Sequence, residues 1–132
     1  MATLDELVNV LYSDGVPMPG SDMSDDDALI YAKQRYPFGN YCLVRDWRWL
    51  DLEVTEDQRL LLLKTQRQPA LIYAHTVIYD SERRWDVGDF VRTSLLHKHE
   101  GFQLRTLNSI YLLLGQGRRL KASAELLPAF SD

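Results

Sequence analysis

The chain has 132 residues, of which 45% are hydrophobic and 26% charged, and a formal net charge of −4. These values fit one soluble globular domain, large enough to bury about two-thirds of its unfolded surface without a metal or disulfide. They exclude a strongly basic nucleic-acid-binding domain, and the single cysteine, Cys42, excludes an intrachain disulfide.

The N-terminus Met1-Ala2-Thr3-Leu4-Asp5-Glu6 lacks the basic and apolar parts of a signal peptide. No apolar run approaches the roughly 20 residues of a membrane span. A soluble, cytoplasmic protein is therefore expected. Thr3-x-x-Glu6 is a capping box that opens a first helix, with Leu4, Leu7, Val8 and Leu11 as its apolar stripe. Gly15 stops that helix, and Pro17 and Pro19 prevent it from resuming. Ser24, followed by three aspartates, caps a second helix reaching about Arg35, with Ala28, Tyr31, Ala32 and Arg35 on one side. Pro37 and Gly39 end it.

Tyr41 to Arg45 reads as a short buried strand, and Cys42 within it as a small core hydrophobe. In Asp46-Trp47-Arg48-Trp49-Leu50-Asp51-Leu52, an extended backbone puts Trp47, Trp49 and Asp51 on one side. Thr55-x-x-Gln58 is a further capping box, for a central helix to about Gln66. Its run Leu60 to Leu63 covers a whole turn and predicts packing on more than one side. Strand-like segments then follow closely: Ala70 to Tyr79, Asp89 to Leu96, Phe102 to Thr106 and Ser109 to Leu114. In the first of these both alternating sets are largely apolar, as in a central strand covered on both faces. Asp80-Ser81-Glu82-Arg83, Glu100-Gly101 and Leu107-Asn108 read as turns. The tail Leu120 to Phe130 has room for one short helical turn before Pro128.

Short connections favour antiparallel neighbours. The expected fold is α+β, with two N-terminal helices and one central helix packed on a curled antiparallel sheet, a β-meander of four to five strands. One domain spans 1–132, with a helical part at 1–36, a sheet at 41–114 containing the central helix 55–66, and a tail at 118–132. The expected core includes Ile72, Ala74, Ile78, Val91, Leu95, Leu104, Leu112 and Leu114.

No catalytic or cofactor motif stands out. His97 and His99 share a strand face and His75 lies on another strand, but Lys98 between the imidazoles argues against a prepared zinc site. There is no Gly-x-Ser-x-Gly elbow, and Thr93-Ser94 lies within a strand, a poor place for an activated hydroxyl. Asp46 and Asp51 are paired carboxylates only if the fold makes them converge. No metal and no cofactor are expected, and no enzymatic activity.

Two binding readings remain. Trp and Arg are enriched at protein-binding hot spots, so Trp47 and Trp49 around Arg48 are candidate anchors. Residues 1–32 hold seven acids (Asp5, Glu6, Asp14, Asp22, Asp25, Asp26, Asp27) and no Lys or Arg, whereas residues 101–121 hold Arg105, Arg118, Arg119 and Lys121 and no acid. Such asymmetry steers charged partners. The segment holding Asp22, Asp25, Asp26 and Asp27 is therefore a candidate contact for a basic partner, imitating nucleic-acid phosphates, although acids in a first helical turn are also favoured by the dipole alone. The first reading is a non-enzymatic accessory protein acting on a protein partner or by self-association. The alternative is a small-molecule or nucleotide-binding domain. In it Gly115 and Gly117 wrap a phosphate while Arg118 and Arg119 pair with it, though the lysine and hydroxyl of a Walker loop are missing. Membrane contact and direct nucleic-acid binding are not expected.

Several segments resemble a family of small bacterial and prophage proteins of unknown function. They are Lys33-Gln34-Arg35-Tyr36-Pro37-Phe38, Tyr41-Cys42-Leu43-Val44-Arg45-Asp46-Trp47, Gln68-Pro69-Ala70-Leu71-Ile72-Tyr73-Ala74-His75, Val91-Arg92-Thr93-Ser94 and Thr106-x-Asn108-Ser109-x-Tyr111. The resemblance covers roughly residues 17–117. It implies no catalytic residue, only a setting: a small accessory protein of a mobile element, acting as an inhibitor or anti-defence factor by occupying a host or rival protein.

Overall fold

The computed structural model describes residues 15–123. In chain order the elements are β1 (Val16–Pro19), α1 (Asp25–Arg35), β2 (Tyr41–Glu53), α2 (Glu56–Lys64), β3 (Ala70–Asp80), β4 (Val91–Arg92), β5 (Lys98–Glu100), β6 (Gln103–Arg105), β7 (Ile110–Leu113) and β8 (Gln116–Ser123). All eight strands join one sheet, curled into a half-barrel.

The long strand β2 is the spine. β3 pairs antiparallel along one edge of it, from Cys42 opposite Asp80 to Asp51 opposite Ala70. The other edge is shared by two strands that both run parallel to β2. β7 takes Tyr41 to Val44, and β8 takes Arg48 to Glu53. β7 and β8 are thus one direction of chain broken at Leu114 and Gly115, where Gly115 has φ +69°, a conformation that glycine adopts without a Cβ clash. At the same level β2 carries a left-handed residue, Asp46, with φ +53°. β6 and β5 extend the sheet beyond β7, β1 pairs antiparallel with β8, and β4 pairs with β3.

Both described helices begin where their caps dictate. Ser24 Oγ accepts from the Asp27 amide, and Asp25, Asp26 and Asp27 fill the first turn of α1. α2 starts on a complete Thr55/Gln58 capping box, two reciprocal bonds that satisfy otherwise orphaned amides. Three apolar clusters hold the layers together. The inner face of the curl packs Cys42, Val44, Trp47, Trp49, Ile72, Ala74, Val77, Leu104 and Tyr111, among others. On the outer face α1 covers the first half of β2 through Ala28 and Ala32 against Leu43, Leu112 and Leu114. α2 covers the second half through Leu62 against Leu50, Leu52 and Leu71.

The expected architecture is corrected in several places. The described residues hold two helices, not three, and the sheet has eight strands and is mixed, not an antiparallel meander of four to five. The helix expected from Thr3 lies outside the described residues. The Pro17–Pro19 segment is an edge strand, where a missing amide is tolerated. Trp47 to Leu52 continues one strand with Tyr41 to Arg45. The expected tail from 118 is strand β8 as far as Ser123. Asp89 to Leu96 shrinks to the two residues of β4. The core expectation holds except at Ile78, which is half-buried.

Cys42 is fully buried, and burial, reinforced by Asp80 and opposed by Arg84, pushes its thiol up to about 12. A neutral thiol is neither a nucleophile nor a ligand. A disulfide-exchange reagent at pH 8 should therefore leave the folded protein unlabelled and react stoichiometrically once urea unfolds it. Fast labelling in buffer would show that this end of the sheet opens readily.

Candidate binding surfaces

The break between β7 and β8 is organised by Trp47. Its ring lies against Gly117, where an added Cβ would fall 2.4 Å from ring carbons, and its Nε1–H donates to the Leu114 carbonyl at 3.1 Å. Trp47 is 1% exposed and Trp49 is also buried. Trp49 donates to Asp51 Oδ1 at 3.0 Å and packs edge-on to His99. As the protein is folded here, neither tryptophan presents a surface to a partner; both close the inner core. Of the four aspartates, Asp22, Asp26 and Asp27 are exposed around the start of α1, while Asp25 Oδ1 is bound by Arg45 Nε at 2.6 Å.

The Gly115–Gly117 turn is occupied by the protein itself. The Gly115 amide donates to the Ser21 carbonyl at 2.7 Å and its own carbonyl accepts from Gly20. Gly117 stands opposite Met18 in the β1–β8 ladder beneath Trp47. Arg119 grips Asp51 with two bonds, of 2.6 and 3.0 Å, and lies over Trp49. Of the residues proposed to wrap a phosphate, Gly117 and Arg118 border a cavity of about 180 Å³, together with Asp46, Trp47, Arg48, His75 and Gln116. The expected nest of amides around Gly115 is not present, yet Arg118 is brought to Arg48 and His75.

That neighbourhood follows from strand register. Arg118 on β8 stands opposite Arg48 on β2, Arg48 opposite Tyr73 on β3, and Tyr73 opposite Arg92 on β4. Directly opposed residues share a face, so three arginines and a tyrosine form one row across four strands. Of the three arginines only Arg118 had stood out in the sequence as a ligand-binding residue.

The polar cluster at the other end of β3 is a clamp. Asp80 Oδ2 accepts from the Arg84 amide at 2.6 Å and from its Nε at 3.1 Å, and Oδ1 accepts from Nη2 at 2.9 Å. Arg84 Nη1 donates to Ser109 Oγ at 2.6 Å, and the guanidinium lies over Trp85. Burial pushes the Asp80 carboxyl up, but the Arg84 bonds outweigh it and hold the group below the usual carboxylate range. Beside it, burial pushes the Tyr111 phenol up to about 12 against the pull of Arg84. The three histidines are dispersed: His97 Nδ1 lies 2.6 Å from the Gln66 carbonyl, His99 Nε2 lies 2.7 Å from that of Gly101, and His75 packs on Phe90. Among the described residues no group of three His, Cys, Asp or Glu side chains is placed to hold a metal ion, and no helix is long and apolar enough to cross a membrane.

The surface the sequence misjudged is α2. Packing on more than one side was expected, but only Leu62 is buried; Leu60, Leu61 and Leu63 are 46%, 62% and 46% exposed. A concavity of about 640 Å³ lies against this face, bordered by Asp57, Leu60, Leu61, Leu63 and Lys64. Residues 19–128 match a family described as a domain of unknown function (DUF6957). No curated protein and no solved structure matches the chain.

Proposed function

We propose that this chain, which belongs to the DUF6957 family of unknown function, works by contact with another protein and not by catalysis, through the leucine face of α2. The carrying observation is the exposure of Leu60, Leu61 and Leu63 on a nine-residue helix. Apolar side chains grouped in this way mark interaction sites more often than scattered ones do.

The charge order along the face selects the partner. Asp57, Leu60/Leu61 and Lys64 lie at i, i+3/i+4 and i+7, one stripe of the helix. An antiparallel copy of the same stripe sets Asp57 against Lys64 at both ends, as an isologous two-fold contact requires. A second copy of this chain supplies that surface. One short helix buries little area, so the association is weak and reversible. Wild type should sediment as a dimer that dissociates on dilution. Leu61→Glu should raise the dissociation constant at least tenfold, about 1.4 kcal/mol. Asp57→Lys and Lys64→Asp should each weaken the dimer, and the double exchange should restore it. A monomer at every concentration, or no rescue by the double exchange, overturns the assignment.

The exposed acids Asp22, Asp26 and Asp27 suit a second, basic partner, whose binding would weaken with salt. A reducing, cytoplasmic location fits the lone buried Cys42. The setting on a bacterial mobile element, with a role in blocking a host or rival protein, is supported by the motif resemblance alone.

A further inference from the structure

We propose that the end of the sheet where β2 begins docks on an anionic lipid surface. The side chains of Phe38 and Leu107 enter the bilayer interface, and the cations Arg35, Arg83, Lys98 and Arg105 around them meet the headgroups. The α2 contact lies at the opposite end of β2, beyond Glu53, so either reading can fail without the other.

Three turns meet at this end, and Asn40 ties them together. Its backbone N–H donates to Glu82 Oε1 at 3.0 Å, its Nδ2 donates to the Asn108 carbonyl, and its own carbonyl accepts from the Ile110 amide at 3.0 Å. Asn40 has φ +69°, a left-handed conformation that is uncommon for a residue other than glycine and is held here by those three bonds. The first turn is Tyr36-Pro37-Phe38-Gly39, closed by the Gly39 amide on the Tyr36 carbonyl at 3.0 Å. Pro37 fixes the backbone at its second position. The turn is therefore stiff, yet the Phe38 side chain on it is 99% exposed and touches almost nothing of its own chain. Leu107 is 53% exposed on the turn that the Thr106 amide closes by donating to the Ser109 carbonyl. Apolar side chains presented on stiff turns lose little freedom when they are buried by a partner.

The charge around these tips is the reverse of the chain's −4. Arg35 immediately precedes the first turn, Arg83 lies on the second, and Arg105 immediately precedes the third, with Lys98 directly opposite it on β5. None of the four forms an ion pair with a described carboxylate. Arg105 is bonded by the side-chain carbonyl of Gln103 and Arg35 lies over the Tyr36 ring, but both partners are neutral and leave the charge in place. Of the two carboxylates on the turns, Asp80 is neutralised by Arg84 and Glu82 accepts from the Asn40 amide. Uncompensated cations thus gather round Phe38, the most exposed large apolar side chain among the described residues. Apolar insertion combined with a cationic patch is what reversible attachment to an anionic membrane requires, since neither signal holds alone. A protein partner would need a pocket shaped to each tip, whereas lipid closes around side chains that protrude singly. The lack of a spanning helix does not bear on a surface contact of this kind.

Co-sedimentation of the full chain with vesicles tests this, using phosphatidylcholine alone and phosphatidylcholine with about one-third phosphatidylserine. The chain should bind the anionic vesicles, at least tenfold more weakly the neutral ones, and less as salt rises. Phe38→Ser should weaken binding at least tenfold with an unchanged melting temperature, because the side chain has no contacts to lose. Arg83→Gln should weaken it about fivefold. In Phe38→Trp the indole emission should shift to the blue with anionic vesicles and stay unmoved with neutral ones, which reads insertion directly. No sedimentation with the anionic vesicles, undiminished binding by Phe38→Ser, or an unmoved emission in Phe38→Trp overturns the assignment. So does a dimer loosened by Phe38→Ser in vesicle-free solution, which would give the tip to a protein contact.

Discussion

Gly117→Ala is expected to destabilise the protein by about 3 kcal/mol, the upper end of what overpacking alone usually costs. A Cβ at this position meets the Trp47 ring at 2.4 Å, and the far side of that ring is closed by the inner core. The indole must therefore move as a body. Moving it breaks the Nε1–H bond to the Leu114 carbonyl and leaves a buried donor unpaired. Backbone conformation is not the issue: Gly117 is absent from the positive-φ glycines, unlike Gly115, and alanine suits a strand better than glycine does. Trp47→Ala should cost about 3–5 kcal/mol by cavity formation. In that background Gly117→Ala should cost under about 0.5 kcal/mol, because the obstructing ring is gone, so the two effects are strongly non-additive. Urea unfolding of the four proteins measures the cycle. A near-neutral Gly117→Ala in the wild-type background would mean that the indole is not wedged in the β7–β8 break.

What the sequence revealed depended on how far apart the relevant residues lie. Capping is local chemistry, and the Ser24 and Thr55 caps mark both described helices to within a residue or two. The two-sided burial of β3 was legible in its own alternation. The parallel pairings of β2 were not, because the chain travels from Glu53 to Ile110 before β7 returns to it, and no short-range pattern encodes that crossover. The prolines of β1 concealed an edge strand, since only the partner β8 makes it one. The leucines of α2 read as core because hydrophobicity alone does not reveal whether a neighbour exists to cover them. The arginine row is the clearest case. Arg48, Arg92 and Arg118 are each isolated in sequence, and only the register of four strands aligns them. A search for basic runs cannot find them.

Asp80 and Arg84 give the second large effect, and its pH dependence separates the partners. The Asp80 side chain is fully buried and that of Arg84 is 32% exposed. Breaking such a pair from either side strands a charge, at about 3–5 kcal/mol when both partners are buried; solvent access to Arg84 lowers the expectation for Asp80→Asn to about 2 kcal/mol. In the wild type the Arg84 bonds hold the Asp80 carboxyl below the usual carboxylate range. Its contribution to stability is thus fully present above the range in which an unfolded carboxylate titrates and is lost as pH falls through the lowered one. The gap between wild type and Asp80→Asn should be constant from pH 8 to about 5 and should close in strong acid. Arg84→Ala reverses the sign. With the guanidinium gone, burial, the largest influence on the carboxyl, is opposed only by the backbone N–H groups of residues 82 and 84 and raises it. The stranded group then favours folding only when protonated, and Arg84→Ala should lose stability as pH rises from about 4 to 7. Denaturant unfolding across pH 3–8 measures both curves. Parallel profiles for the two variants would show that Ser109 and the stack on Trp85, and not the ion pair, carry the clamp between β3 and β7.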